Sequence, residues 1–491
     1  MQIPNILSII VFLPIVAGAV MLFIPPKNRD LIHRFALAVG LVCFLLSLVV
    51  YFSFDPNGAR YQFLEKFDWL PALGISYYVG VDGITAPLVL LTGVVIFTGV
   101  IISQRIDDRP REFFSFLFIL ASGVFGVFVS LDLFALFFFY EIAVFPMYLL
   151  IALWGWKQTR EYAAMKLTLY LFIGSVIALV GALAMYFASG LNTFDMIALE
   201  GANFSPEFQN LWFPFVFFGF AVLGGIFPFH NWSPDGHVAA PTAVSMFHAG
   251  VLMKLGAFAA LRVGIMLMPI GAQTHLPWII LLTLVNVVYG ALIAMVQTDF
   301  KYMIGFSSVS HMGLVAMGFA TLNYNGYLGA GVQMFSHGVM TALFFAVVGM
   351  VYDQAHTREI PKLGGLVKYM PFVAVAFIIG GLTSMGMPGF SGFIAEFPIF
   401  MGLWNSHPWI AIVAAISVAV TAAYIMRAIG RVFFGEVPSE LEGHMHDVKF
   451  SEKLALSVLC IFMVGIGLFP GIIVPLVNAG VNTVLSLLGG A

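Results

Sequence analysis

The chain has 491 residues, 61% of them hydrophobic and only 9% charged, with a mean hydropathy of +1.01 and a formal net charge of −3. That composition excludes a water-soluble globule, and the lack of a basic tract excludes a nucleic-acid partner. Successive apolar segments of about 18 to 30 residues suit helices crossing a hydrocarbon core about 30 Å thick, without the alternation of a β-barrel.

Taken in order, hydropathy places helices near 4–25, 31–53, 79–103, 112–130, 132–153, 161–188, 208–230, 240–268, 276–297, 300–323, 325–354, 369–404, 408–435 and 451–483. The pattern predicts an all-α polytopic membrane protein with about fourteen transmembrane helices. The first segment has neither a cationic leader nor a small-residue cleavage motif, so it reads as a retained helix. Most of the 21 Lys and Arg residues fall in the odd-numbered loops, from Lys27, Arg29 and Arg34 to Lys449 and Lys453, whereas the even-numbered loops hold only Arg60 and Lys66. By the positive-inside rule the odd loops are cytoplasmic and both termini face outward. Cys43 and Cys460 lie inside apolar spans as small core residues.

The most unusual stretch is FPFHNWSPDGHVAAPTAVSMFHAGVLMKLG, Phe227 to Gly256, where prolines, a tryptophan, an aspartate, three histidines and a lysine interrupt the hydrocarbon. Polar groups at bilayer depth are costly unless they face protein or water. The spacing predicts a helix broken by Pro228 and Pro234, a short polar crossing, and a new helix starting near Ala240-Pro241-Thr242. Lys254 then falls near mid-bilayer, roughly 14 Å along that helix. A second break, GLTSMGMPGFSGFIAEF around Pro388, interrupts the twelfth span. Paired interruptions in two halves mark an inverted-repeat transporter. The expected organisation is three helices in 1–111, five-helix repeats of opposite topology in 112–268 and 276–435, and a loop with the last helix in 436–491.

Several charges lie within predicted spans. Glu141, in LFALFFFYEIAVFPMYLL, and Glu396, just past the second break, must be paired, hydrated or protonated at that depth. Burial disfavours the charged form of a lysine, which lets Lys254 lose and regain a proton. Lys166, near the cytoplasmic end of its helix, is able to snorkel or to reach inward. Arg427 and Arg431 read as anchors of a helix end. Two polar stripes follow helical spacing: Ser307, Ser310 and His311 at i, i+3 and i+4, then Gln333, Ser336, His337 and Thr341 at i, i+3, i+4 and i+8. Histidine suits a proton path because one ring nitrogen accepts while the other releases. His230, His237 and His248 are spread across a break, so no metal site is expected, and no clustered Cys/His set or GxGxxG loop points to a cofactor in this chain.

The motifs FPFHNWSPDGHVAAPTAVS, HAGVLMKLGAF, QTDFKYMIGFSSVSHMG, FSHGVMTALFF and GMPGFSGFIAEF together resemble the antiporter-like subunits of complex I, the proton-translocating NADH:quinone oxidoreductase. The resemblance covers roughly residues 75 to 435. It implies fourteen helices with two inverted repeats and proton translocation through Glu141, Lys254, His311, His337 and Glu396. It also implies a bacterial inner-membrane location and partnership with other membrane-arm subunits, while electrons from NADH or ferredoxin enter through other subunits of the complex, which carry iron–sulfur clusters, quinone and, as an option, FMN. One position departs: where the family carries a lysine that pairs with the residue matching Glu141, this chain has Leu223. Three readings follow: Lys166 has taken over as the partner of Glu141, which is the favoured expectation, a partner subunit supplies the charge, or the inner half-path is weakened. Two other functions stay open on the residues: a subunit of a multisubunit sodium/proton antiporter, and a non-pumping scaffold that transmits coupling.

Overall fold

The structure, a computed structural model, describes residues 3–443 and 445–489. It opens with α1 (Ile6–Met21) and α2 (Arg29–Ser53), followed by an antiparallel hairpin of β1 (Gln62–Leu70) and β2 (Ile75–Val81). Next come α3 (Thr85–Ile102), α4 (Pro110–Val129), α5 (Leu133–Trp154), α6 (Arg160–Ser189) and the short α7 (Met196–Glu200). The middle holds α8 (Pro206–Gly224), α9 (Trp232–Ala239), α10 (Thr242–Ile265), α11 (Pro269–Val296), α12 (Phe300–Ala320) and α13 (Tyr324–Ala355). The last part comprises α14 (Pro371–Ser384), α15 (Ser391–Ser406), α16 (Pro408–Phe433), α17 (Phe450–Leu468) and α18 (Val474–Leu487). Among the described residues 11 helices are long and apolar enough to cross a membrane.

The hydropathy reading needs three corrections. Residues 62–81 form a hairpin and the third helix begins at Thr85 rather than near 79, because only Asp82, Gly83 and Ile84 separate the apolar run of β2 from the apolar helix. A short apolar strand and the start of a buried helix look alike to a hydropathy window. The break expected at Pro234 is absent: only residues 225–231 interrupt the seventh span, and Pro234 lies in the first turn of α9, where its missing N–H is harmless. The twelfth span divides at the expected break around Pro388 into α14 and α15. The fourteenth, expected as one, is two helices, α17 and α18, parted at Phe469-Pro470.

Burial is organised around α3, α10, α12 and α13, whose most apolar windows are 94–100% buried, while the outer helices α2, α6, α16 and α17 bury 33–39%. With lipid on the outside and no water to drive helices together, close packing requires small residues at crossings. Gly256 of α10 is the sharpest case: an added Cβ would lie 2.3 Å from the Gly224 nitrogen and 2.6 Å from the Phe220 carbonyl oxygen of α8. Gly256→Ala is therefore expected to lower the stability of the protein by about 1–3 kcal/mol, seen as an earlier thermal transition in detergent; an unchanged transition would mean that the crossing is slack.

Candidate functional site

Four buried ionisable residues, Lys254 from the segment 112–268 and His337, His311 and Glu396 from 276–435, form one connected row. Lys254 occupies the middle of α10, fully buried between π-helical turns at His248–Leu252 and Ala260–Ile265. A π turn widens the helix and loosens its carbonyls, and the Lys254 Nζ donates to the Ala249 carbonyl at 2.5 Å and meets His337 Nδ1 of α13 at 2.8 Å. No carboxylate among the described residues forms an ion pair with it, so its charge is supported by two neutral acceptors alone. The His337 ring lies 5.4 Å, centroid to centroid, from that of His311 on α12. His311 Nδ1 is 3.1 Å from Glu396 Oε1 on α15, and its Nε2 is 3.1 Å from the Ser384 hydroxyl. With the proton on Nδ1 the ring donates to the carboxylate while Nε2 accepts from serine. Gln333 of α13 donates to the same Glu396 oxygen at 3.2 Å.

The second break is what admits Glu396 to this row. Gly386 is in the left-handed region (φ 64°), and an added Cβ would lie 3.0 Å from Glu396 Oε2, so the turn needs a residue without a side chain. Both stripes reach the row only in part. Ser307 bonds the Tyr424 hydroxyl at 2.7 Å and Ser336 bonds Ser391, whereas Ser310 and Thr341 spend their hydroxyls on the carbonyls of Val287 and His337.

Beyond Lys254, toward the loops rich in basic residues, the row continues through residues that spacing rules had set aside as failed metal ligands. His237 of α9 and His248 of α10 lie 4.1 Å apart, centroid to centroid, both fully buried. His237 Nδ1 and both nitrogens of His248 have no protein partner among the described residues. Past them, buried Lys301 donates to the Ala240 carbonyl at 2.6 Å and Arg358 to that of Val238 at 3.1 Å, two cations at the C-terminal end of α9, where the helix dipole favours them. Lys301, Arg358, Asp353, Trp156, Lys157 and Thr242 line a cavity of about 570 Å³. A larger apolar groove on α6, α8 and α11, 660 Å³, holds no ionisable side chain except Tyr170.

Two expected site residues stand apart from this row. Glu141 is exposed on the outer face of α5, in line with Phe138 (43% exposed) and Phe145 (65%), and forms no ion pair among the described residues. Lys166 does not reach it: the Lys166 Nζ is bonded to Asp235 Oδ2 at 2.7 Å. The expected Lys166–Glu141 pairing is thus corrected, since Lys166 turns toward α9. Leu223 is fully buried, and its backbone packs against Gly256 of α10. A further buried pair, Arg262–Asp82 at 2.5 Å with the Tyr61 hydroxyl 2.8 Å from the guanidinium, ties α10 to the residue that follows β2.

The transmembrane family described as NADH:quinone oxidoreductase/Mrp antiporter matches residues 130–421, the segment that contains every residue of the row. The chain belongs to this family. As an antiporter-like subunit it is 37% identical to NADH-quinone oxidoreductase subunit M of Rhodobacter capsulatus, over 97% of this chain and 96% of that one. It is 36% identical to NAD(P)H-quinone oxidoreductase chain 4 of Gloeobacter violaceus, over 94% and 89%. The antiporter-like fold superposes on a chain of respiratory complex I from Thermus thermophilus with bound NADH with a TM-score of 0.89 at 28% identity, covering 99% and 100% of the two chains. A chain of the Mrp complex from Dietzia sp. gives 0.86 at 18% identity, covering 99% and 98%, a likeness of fold alone.

Proposed function

We propose that this chain is a proton-translocating membrane-arm subunit of a complex I-type NADH:quinone oxidoreductase, moving protons while electrons pass through other subunits. The observation that carries the reading is the row Lys254, His337, His311, Glu396, in which a buried amine, two imidazoles and a carboxylate follow one another across α10, α13, α12 and α15. Each member exchanges a proton with its neighbour by a hydrogen bond, except between the two imidazoles, where a hop requires a bridging water or a ring rotation. His237, His248 and the cavity at Lys301 extend the row toward the face with the basic loops, which the positive-inside rule makes cytoplasmic. Fourteen passes, with both termini outward, follow if α8/α9, α14/α15 and α17/α18 each count as one. The interruptions at Pro228 and Pro388 then fall in repeats 112–268 and 276–435.

The outward stripe Phe138, Glu141, Phe145 supports a neighbouring subunit on that face. A carboxylate facing lipid is costly, and a partner chain that covers the stripe would supply its cation. No cofactor is needed in this chain; iron–sulfur clusters, FMN and quinone belong to its partners. A sodium/proton exchanger is the weaker reading, because the Mrp chain shares the fold at only 18% identity whereas the subunit M relative reaches 37%.

The test is Glu396→Gln in the assembled complex, reconstituted in vesicles. Both quinone reduction and proton pumping are expected to fall by about tenfold, because the amide keeps the hydrogen bonds but cannot take a proton. Native pumping by the variant would remove Glu396, and with it the row, from the path.

A further inference from the structure

The row leaves one link open. Among the described residues the two imidazoles share no hydrogen bond, and the second nitrogen of His311 faces elsewhere: its Nε2 meets the Ser384 hydroxyl, at the end of α14, at 3.1 Å, while Nδ1 is committed to Glu396. Ser384 is in turn a hydrogen-bonding neighbour of the Tyr424 hydroxyl of α16, which bonds Ser307 of α12 at 2.7 Å. We propose that Ser307, Tyr424 and Ser384 form a hydroxyl chain that brings protons from the face with the basic loops to Nε2 of His311, a second inlet that serves the second half of the protein. The inference rests on reading the chain as a proton path.

Three observations support it. First, these hydroxyls are free to relay. Serine and threonine on a helix commonly bond the carbonyl one turn back, as Thr341 and Thr383 do here. Ser307, Tyr424 and Ser384 are buried and bond side chains instead, with no carbonyl partner among the described residues. Second, the chain runs toward the basic face. Ser307 precedes His311 by four residues on α12, about 6 Å along the axis toward Lys301. Arg427, three residues past Tyr424, is only half-buried and donates to the Gln297 carbonyl just past α11, which puts the polar end of α16 about 5 Å along the axis from Tyr424. Third, every link both donates and accepts.

With the proton of His311 on Nδ1 the donors line up in one sense, from Ser307 to Tyr424, to Ser384, to Nε2, and from Nδ1 to Glu396. In the transfer the Nδ1–H bond breaks as the Glu396 carboxylate takes the proton, and Nε2 takes the proton of Ser384. The Ser384 oxygen is refilled from Tyr424, the Tyr424 oxygen from Ser307, and Ser307 from water, so every member ends neutral and one proton has entered. Rotation of each hydroxyl about its C–O bond, and turning over of the His311 ring, reset the chain. Lys254 stays obligatory, because charge arriving on His337, whose ring lies 5.4 Å from that of His311, drives the His311 proton onto Glu396.

The experiment uses the complete complex in vesicles, with assembly checked by subunit content, and measures quinone reduction and protons pumped per electron. Tyr424→Phe keeps the buried ring and deletes the hydroxyl, and is expected to lower pumping at least about fivefold. Ser384→Ala is expected to match it, and Tyr424→Phe/Ser384→Ala to be no worse than either single change, as for residues acting as one unit. Ser310→Ala is the control: that hydroxyl, one residue before His311, bonds the Val287 carbonyl and lies outside the chain, so native pumping is expected. Should Tyr424→Phe fail to assemble, Ser384→Ala is read with Ser307→Ala on the same expectations. Glu396→Gln is assayed in parallel. Loss there with native pumping in either Tyr424→Phe or Ser384→Ala overturns the inlet and leaves the path standing; native pumping in all three overturns the inlet together with the path. Additive losses in the double variant, or a Ser310→Ala as impaired as Tyr424→Phe, reduce the hydroxyls to structural contacts.

Discussion

Lys254→Met is expected to cut proton pumping and coupled quinone reduction together by at least about tenfold, while the protein folds as well as before. The two halves of that expectation have separate causes. Methionine has nearly the length of lysine and no charge, and replacing a buried ionic group by an apolar one of similar volume is often neutral or stabilising. Lys254 holds nothing together by charge: its amine contacts one carbonyl and one imidazole. Function is different, because removing a positioned proton donor and acceptor from an obligatory step typically costs factors of 10² to 10⁴. Thermal unfolding and vesicle acidification on the same preparation check both halves. A variant that melts like the native protein and still pumps at the native ratio would take Lys254 out of the path; one that does not assemble would mean that the amine is structural.

Asp82→Ala is expected to do the reverse, damaging the fold. Arg262 is 3% exposed, and without Asp82 its guanidinium keeps only the Tyr61 hydroxyl as a close polar partner. Arginine does not shed its proton to escape burial, so breaking the pair should cost about 3–5 kcal/mol, a large share of the stability of any domain. The subunit should then be depleted from assembled complex and melt earlier. Removing both partners, as Asp82→Leu with Arg262→Met, should recover much of the loss, since no uncompensated charge remains. If the single and double variants were equally unstable, the damage would come from repacking between β2 and α10 and not from the orphaned cation.

These two residues also show where the sequence was readable. Lys254, His311, His337 and Glu396 stand out because ionisable side chains in hydrocarbon are rare and costly, and each was assigned to the path from its own local surroundings. Asp82 did not stand out, because it lies at the mouth of a hairpin that hydropathy absorbed into a helix. His237 and His248 were visible as residues but were tested only for metal spacing; their 4.1 Å approach joins two helices separated by the Ala240-Pro241 turn. Glu141 was expected to be paired, hydrated or protonated within its span; it faces outward with Phe138 and Phe145 and has no ion pair among the described residues.

The sequence by itself determined the membrane class, most of the spans, the two interruptions around Pro228 and Pro388, and which ionisable residues lie within the apolar spans. All of these depend on the transfer of short segments between water and lipid and on the backbone preferences of proline and glycine, which are local properties. Only the tertiary structure decided that Lys166 pairs with Asp235 and not with Glu141, that the last span is two helices, and that His337 and His311 connect Lys254 to Glu396. Those outcomes depend on how each helix is rotated about its axis and which helix lies beside it. Rotation and neighbour are set by close packing at positions such as Gly256 against Gly224, between residues distant in the chain, and hydropathy along a single segment carries no record of them.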